Sequence, residues 1–100
     1  IGDCRHPMLG LNKDIRSNIN RVIHCAAEVN NIKSYDQLFD SNVLSTKNVI
    51  EFCSRDIKLE FISTLSVFVS SCYNDIQTFS ENQLTVSNRR LNSGYALTKL

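Results

Sequence analysis

The residues of this chain with the most chemistry in them are its four cysteines and two histidines. Cys4, Cys25, Cys53 and Cys72 are even in number and widely spaced along 100 residues, which reads as two disulfides formed in an oxidising compartment. A metal site is the competing use of the same side chains. Cys4 and His6 near the start, with His24 and Cys25 further on, would supply two sulfurs and two nitrogens. The spacing opposes it, because structural zinc sites draw on close Cys-x2-4-Cys pairs. Neighbours on a helix also point about 100° apart, so His24 and Cys25 do not share one ion. Neither a metal nor a cofactor is expected.

Catalysis is not expected either. A serine or cysteine nucleophile would need His6 or His24 placed by a third group, and the carboxylates of Asp36 and Asp40 read as solvated charges. The chain contains no G-x-S-x-G, P-loop, H-E-x-x-H or dinucleotide fingerprint. An apolar band containing Phe61, Phe68 and Tyr73 is the best candidate for a ligand or partner surface.

Composition narrows the class. With 42% apolar and 21% charged residues, three Gly and one Pro, the chain has the make-up of one globular domain. No run approaches the roughly 20 apolar residues of a membrane span. A net charge of +1 gives no field that argues for nucleic acid. Every Asp and Glu lies at or before Glu81, so the segment from Asn82 to Leu100 is basic, with Arg89, Arg90 and Lys99. It reads as a tail, 82–100, beside a helical domain, 1–81. The dibasic Arg89, Arg90 is a candidate processing site. An opening Ile1 fits a chain whose signal peptide has been removed.

The elements that would position these groups are read as helices. After an irregular lead-in, Ile15, Ile19, Val22, Ala26 and Val29 recur at helical spacing from a cap at Asn12, which predicts a helix over about Lys13 to Asn30. Ser34 with Gln37 forms a capping box for a short helix, Tyr35 to Asp40, which the Ser41, Asn42 pair ends. A third stripe runs from Ser45 or Thr46 through Val49, Ile50, Cys53 and Ile57. Ile62, Leu65, Val69, Cys72, Ile76 and Phe79 give a fourth and longest, with a break near Ser54 to Lys58. Leu84 and Val86 suggest a short extended segment in the tail.

The fold expected is therefore all-α: a small disulfide-stapled bundle of three longer helices and one short one. The pairing favoured is Cys4 with Cys53 and Cys25 with Cys72, for first and last helices that run parallel; Cys4 with Cys72 and Cys25 with Cys53 suits the antiparallel case. In outline, Cys4 and Cys72 around short helices are similar to secretoglobins, and the Cys53 to Cys72 interval is similar to four-cysteine insect odorant-binding proteins. The long stretch after Cys72 and the early Cys4 fit neither. The function expected is that of a secreted, extracellular, non-enzymatic protein presenting a rigid helical surface to a protein partner, or else carrying a small apolar ligand between its helices.

Overall fold

A computed structural model describes residues 2–11, 15–53, 56–68, 91 and 93–100. Its organising element is a pair of parallel strands. The four residues Arg21–His24 form β1 and Lys58–Phe61 form β2, in the register Arg21 with Lys58 through His24 with Phe61. Parallel neighbours cannot be joined by a tight turn and need a crossover. Helical residues supply it: α1, Tyr35–Leu38, a π-helical turn, Phe39–Leu44, and α2, Ser45–Cys53. A final short helix, α3, Gly94–Thr98, packs against α1 and against a 3-10 turn at Leu65–Phe68.

This is an α/β architecture, not the all-α bundle expected from periodicity. The predicted first helix is replaced by a 3-10 turn at Arg16–Asn18 and by β1. Val22 and Ile23 are β-branched and stiff, and within β1 exposure alternates so that Val22 is half-buried and His24 buried while Arg21 and Ile23 face outward. In the described part of the predicted last helix, Phe61 ends β2, residues 62–64 have no regular secondary structure and Leu65–Phe68 make the 3-10 turn. Its continuation through Tyr73 and Phe79 lies outside the described residues, as do Leu84, Val86, Arg89 and Arg90. The described end of the tail is α3, which buries Ala96 and Thr98 and is followed by buried Lys99.

Two local expectations hold. Ser34 Oγ accepts from the Gln37 backbone N–H at 3.4 Å while Gln37 Oε1 accepts from the Ser34 N–H at 3.0 Å, the reciprocal capping box that starts α1. The stripe beginning at Ser45 is helical and buries Val49, Phe52 and Cys53. The expected stop at Ser41 and Asn42 does not occur. The chain stays helical there because their side chains serve the backbone: Ser41 Oγ donates to the Leu38 carbonyl at 3.2 Å, and Ser45 Oγ to the Ser41 carbonyl at 2.6 Å.

The core lies between α2 and one face of the strands. Val49, Phe52, Cys53 and Ile57 form its centre, with Cys4, Leu9, Leu11, Ile19, Val22 and Leu59 packed around them. Cys53 behaves as a small apolar residue, its thiol pushed up by burial. Cys4, Cys25 and Cys53 are free thiols, which overturns the bridge between Cys4 and Cys53; Cys72, the predicted partner of Cys25, is outside the described residues. The argument for an oxidising compartment falls with that bridge. Thiol titration without reductant should find exposed Cys25 reactive in the folded protein and Cys53 reactive only after unfolding. A protein in which reduction is needed before Cys4 and Cys53 react would contradict this arrangement.

Candidate active site at the strand ends

The carboxyl ends of parallel strands are where open α/β sheets hold their sites, since the chain there leaves the sheet in loops and exposes main-chain groups. Here β1 ends at His24 and β2 at Phe61, and Ile62, Ser63 and Thr64 follow without regular secondary structure. Lys99, one residue beyond α3, lies against them. Its Nζ donates to the Ile62 carbonyl at 3.0 Å and sits 4.6 Å above the centre of the Phe61 ring, within reach of the ring's negative face. Ser63 Oγ donates to the Lys99 carbonyl at 3.1 Å, fixing the same residue from its main chain.

Lys99 is 5% exposed, and among the described residues no carboxylate pairs with it. Burial therefore holds its ammonium below the ordinary lysine range, with the nearby Cys25 working weakly the other way. A buried cation is expensive, so one with no carboxylate partner among the described residues points to use. Tyr95 is half-buried on α3, four residues before Lys99. That spacing is about one helical turn, with Lys99 as the residue that caps α3. A cleft of about 540 Å³ opens beside Lys99, its walls built by Ile62, Leu65, Val67 and Phe68 and its polar side by Ser63, Thr64 and Lys99.

Two contacts place α3. Asn42, 1% exposed in the π-helical turn, accepts from the Glu28 N–H at 2.7 Å and donates to the Glu28 carbonyl at 3.1 Å and to Thr98 Oγ1 at 3.0 Å. One amide thus ties the loop after β1 to the residue before Lys99. Glu28 itself pairs with Lys33 through its carboxylate, which also accepts from Ser41 Oγ at 3.3 Å. The second contact is steric. A Cβ on Gly94 would lie 2.5 Å from the Lys33 carbonyl oxygen and from the Tyr35 nitrogen, so α3 starts directly on the backbone that starts α1.

Of the sites proposed from sequence, Phe61 and Phe68 both line the cleft, on a strand end and a turn instead of one helix. Tyr73, Arg89, Arg90 and Cys72 are outside the described residues. Cys4, His6, His24 and Cys25 do not converge on an ion: among the described residues no metal-holding cluster occurs. His24, read as a polar neighbour of the core, is 3% exposed at the strand end, with Nε2 2.9 Å from Thr46 Oγ1. Ser63, Thr64, Tyr95 and Lys99 were missed. Their signals were present: Lys58 to Phe61 alternates and is followed, after Ile62, by two hydroxyls, and Tyr95 and Lys99 stand four apart in a segment without acids.

An NAD-binding family model, described as Male sterility protein, matches residues 1–100. The chain belongs to that family. It is 31% identical over 113 aligned positions to Probable polyketide synthase 3 of Dictyostelium discoideum, covering 99% of this chain and 4% of that one. It is 40% identical over 68 positions to the hybrid PKS-NRPS synthetase LUC5 of a Fusarium species, covering 63% of this chain and 2% of the relative. The crystal structure of the terminal R domain from the myxalamid PKS-NRPS biosynthetic pathway superposes with a TM-score of 0.76 at 26% identity, over 98% of this chain and 26% of that chain. The fold of this Male sterility family member is thus the Rossmann-like α/β fold, and the expected secreted, non-enzymatic helical binding protein is set aside. The chain corresponds to a small fraction of each curated relative's length.

Gly94→Ala should push α3 from α1 and displace Tyr95 and Lys99 together, costing about 1–3 kcal/mol; a variant with unchanged urea midpoint would show that the two backbones approach less closely. A second expectation concerns pH. Burial first, and the charge of Lys99 second, hold His24 below its ordinary value of 6.5. The unfolded chain then binds a proton that the folded chain refuses, so stability falls as pH drops from 6.5 toward the depressed folded value. Urea midpoints at about pH 7 and about pH 5 should diverge less in His24→Gln than in the wild type.

Proposed function

We propose that this chain carries the proton-donating part of a nicotinamide-dependent reductase that acts on a carbonyl group. The observation that carries the proposal is Lys99, an ammonium held in the sheet-end cleft with no carboxylate partner among the described residues, four residues after a half-buried tyrosine. Membership of an NAD-binding family supports it, as do relatives named as polyketide synthases and the likeness to a terminal R domain.

The residues present fit the nicotinamide end of such a cofactor. The cleft has about 540 Å³ of room at the strand ends, and an ammonium has three donors. Among the described residues one of them goes to the Ile62 carbonyl, and the others are offered to ribose hydroxyls. A reduced nicotinamide, when bound, supplies the hydride that adds to the carbonyl carbon. Tyr95 gives its phenolic proton to the carbonyl oxygen as the C–O double bond is lost, so the product is an alcohol and the tyrosine is left as an anion. The positive charge of Lys99 favours that anion. Ser63 Oγ, already anchored to the Lys99 carbonyl, stands at the rim with its oxygen lone pairs free to accept, and Thr64 holds the wall by accepting from the Ser66 N–H at 3.2 Å.

Steady-state oxidation of reduced nicotinamide cofactor with a panel of aldehydes and thioesters tests the proposal. Tyr95→Phe and Lys99→Met are each expected to lower kcat by roughly 10²- to 10⁴-fold. Retention of full kcat by both variants would remove these residues from the chemistry.

A further inference from the structure

Lys99 does not reach its position alone. The ammonium rests on two groups, the Phe61 ring and the Ile62 carbonyl, and both are held by a single residue of the neighbouring strand. Phe61 is 38% exposed at the end of β2, so burial by itself does not fix its ring. On its other neighbouring side lies the His24 ring, 5.7 Å away between centroids and tilted by 33°. The same His24 accepts the Ile62 N–H at its carbonyl, at 3.1 Å. The residue whose carbonyl accepts from Lys99 is therefore held through its own N–H, one peptide earlier, by the His24 carbonyl.

The His24 ring is itself oriented from α2. Thr46 Oγ1 donates its one proton to the Asn42 carbonyl at 2.7 Å, so at 2.9 Å from His24 Nε2 it can only accept. Nε2 must then carry a hydrogen, and the ring cannot turn over without losing the bond. Asn42, at the far end of this path, also holds Thr98, the residue before Lys99. The result is a closed circuit: Asn42, Thr46, His24, Phe61, Lys99, Thr98 and back to Asn42. A loose member would let the lysine side chain swing into the cleft or out to water.

We propose that His24 is a positioning residue for Lys99, acting through the Phe61 ring and the Ile62 peptide to keep the ammonium at the mouth of the cleft. Its importance for turnover rests on the reductase reading above; its effect on Lys99 does not. The titratable groups that face the Lys99 ammonium among the described residues are His24 from β1 and the Cys25 thiol beside it. With no carboxylate in that set, release of Phe61 admits water and lifts the ammonium toward ordinary lysine behaviour.

The test follows Lys99 directly. In the whole chain labelled with ε-13C lysine, the Lys99 resonance is assigned by its loss in Lys99→Arg and titrated with pH. His24→Ala and Thr46→Val should each raise the midpoint by about half a pH unit or more. Thr46→Val removes the bond to the imidazole together with the hydroxyl's bond to the Asn42 carbonyl, but leaves the imidazole itself in place, so it decides the matter if His24→Ala does not fold. In turnover, both variants should lose about 10-fold in kcat with KM within about twofold of wild type. A Lys99 midpoint unmoved in every folded variant would overturn the proposal. Full kcat in Lys99→Met would instead overturn the reductase reading and leave the titration to judge the positioning role.

Discussion

Asn42 has a side chain whose hydrogen atoms are all spoken for, and the rest of the arrangement hangs on that. Its amide closes on both main-chain groups of Glu28 and on Thr98, joining segments that are far apart in sequence. Removing the amide would leave a buried N–H, a carbonyl and a hydroxyl to find new partners, each at a cost of about 1–3 kcal/mol. The strand pair supplies an edge, but it does not by itself say where α3 goes. The position of Lys99 follows from Asn42 on one side and from the close approach at Gly94 on the other.

The chemistry of the site comes from keeping water away from a charge. Surface lysines of this chain, such as Lys47 beside Glu51 or Lys58 beside Glu60, have carboxylate neighbours and solvent, and exposed pairs of that kind contribute little. Lys99 has an aromatic face and a peptide oxygen in their place.

Much of the helical crossover was legible in the sequence. The Ser34 to Gln37 box and, in the predicted stripe, Val49 and Cys53 are local signals that the structure follows, whereas Ile50 of the same stripe is exposed. The strands were not legible, because four residues give a period of two little room to declare itself. Ile19, Val22 and Ala26 happen to fall at helical spacing across the start of β1, and that accident outweighed the β-branched pair Val22, Ile23. Cysteine number misled for a different reason: Cys53 is present as a core side chain and its evenness with the others carries no bond. The site was missed because Lys99 is recognisable only once the fold shows that it is buried. In the sequence it stands in a basic stretch that resembles any solvated terminus.

The π-helical turn at Phe39–Leu44 sets the phase of every helical residue after it. Each residue added to or taken from a helix rotates the rest of that helix by about 100°. Between Leu38, fully buried in α1, which packs on α3, and Val49, buried in the core beside the strands, the chain must accumulate one particular rotation. The wider turn is how the count is made to fit. Substitutions in this stretch can be absorbed by neighbouring side chains, whereas a gain or loss of one residue would turn the apolar stripe of α2 off the strands. The length of this segment, more than its composition, is therefore what the architecture holds constant.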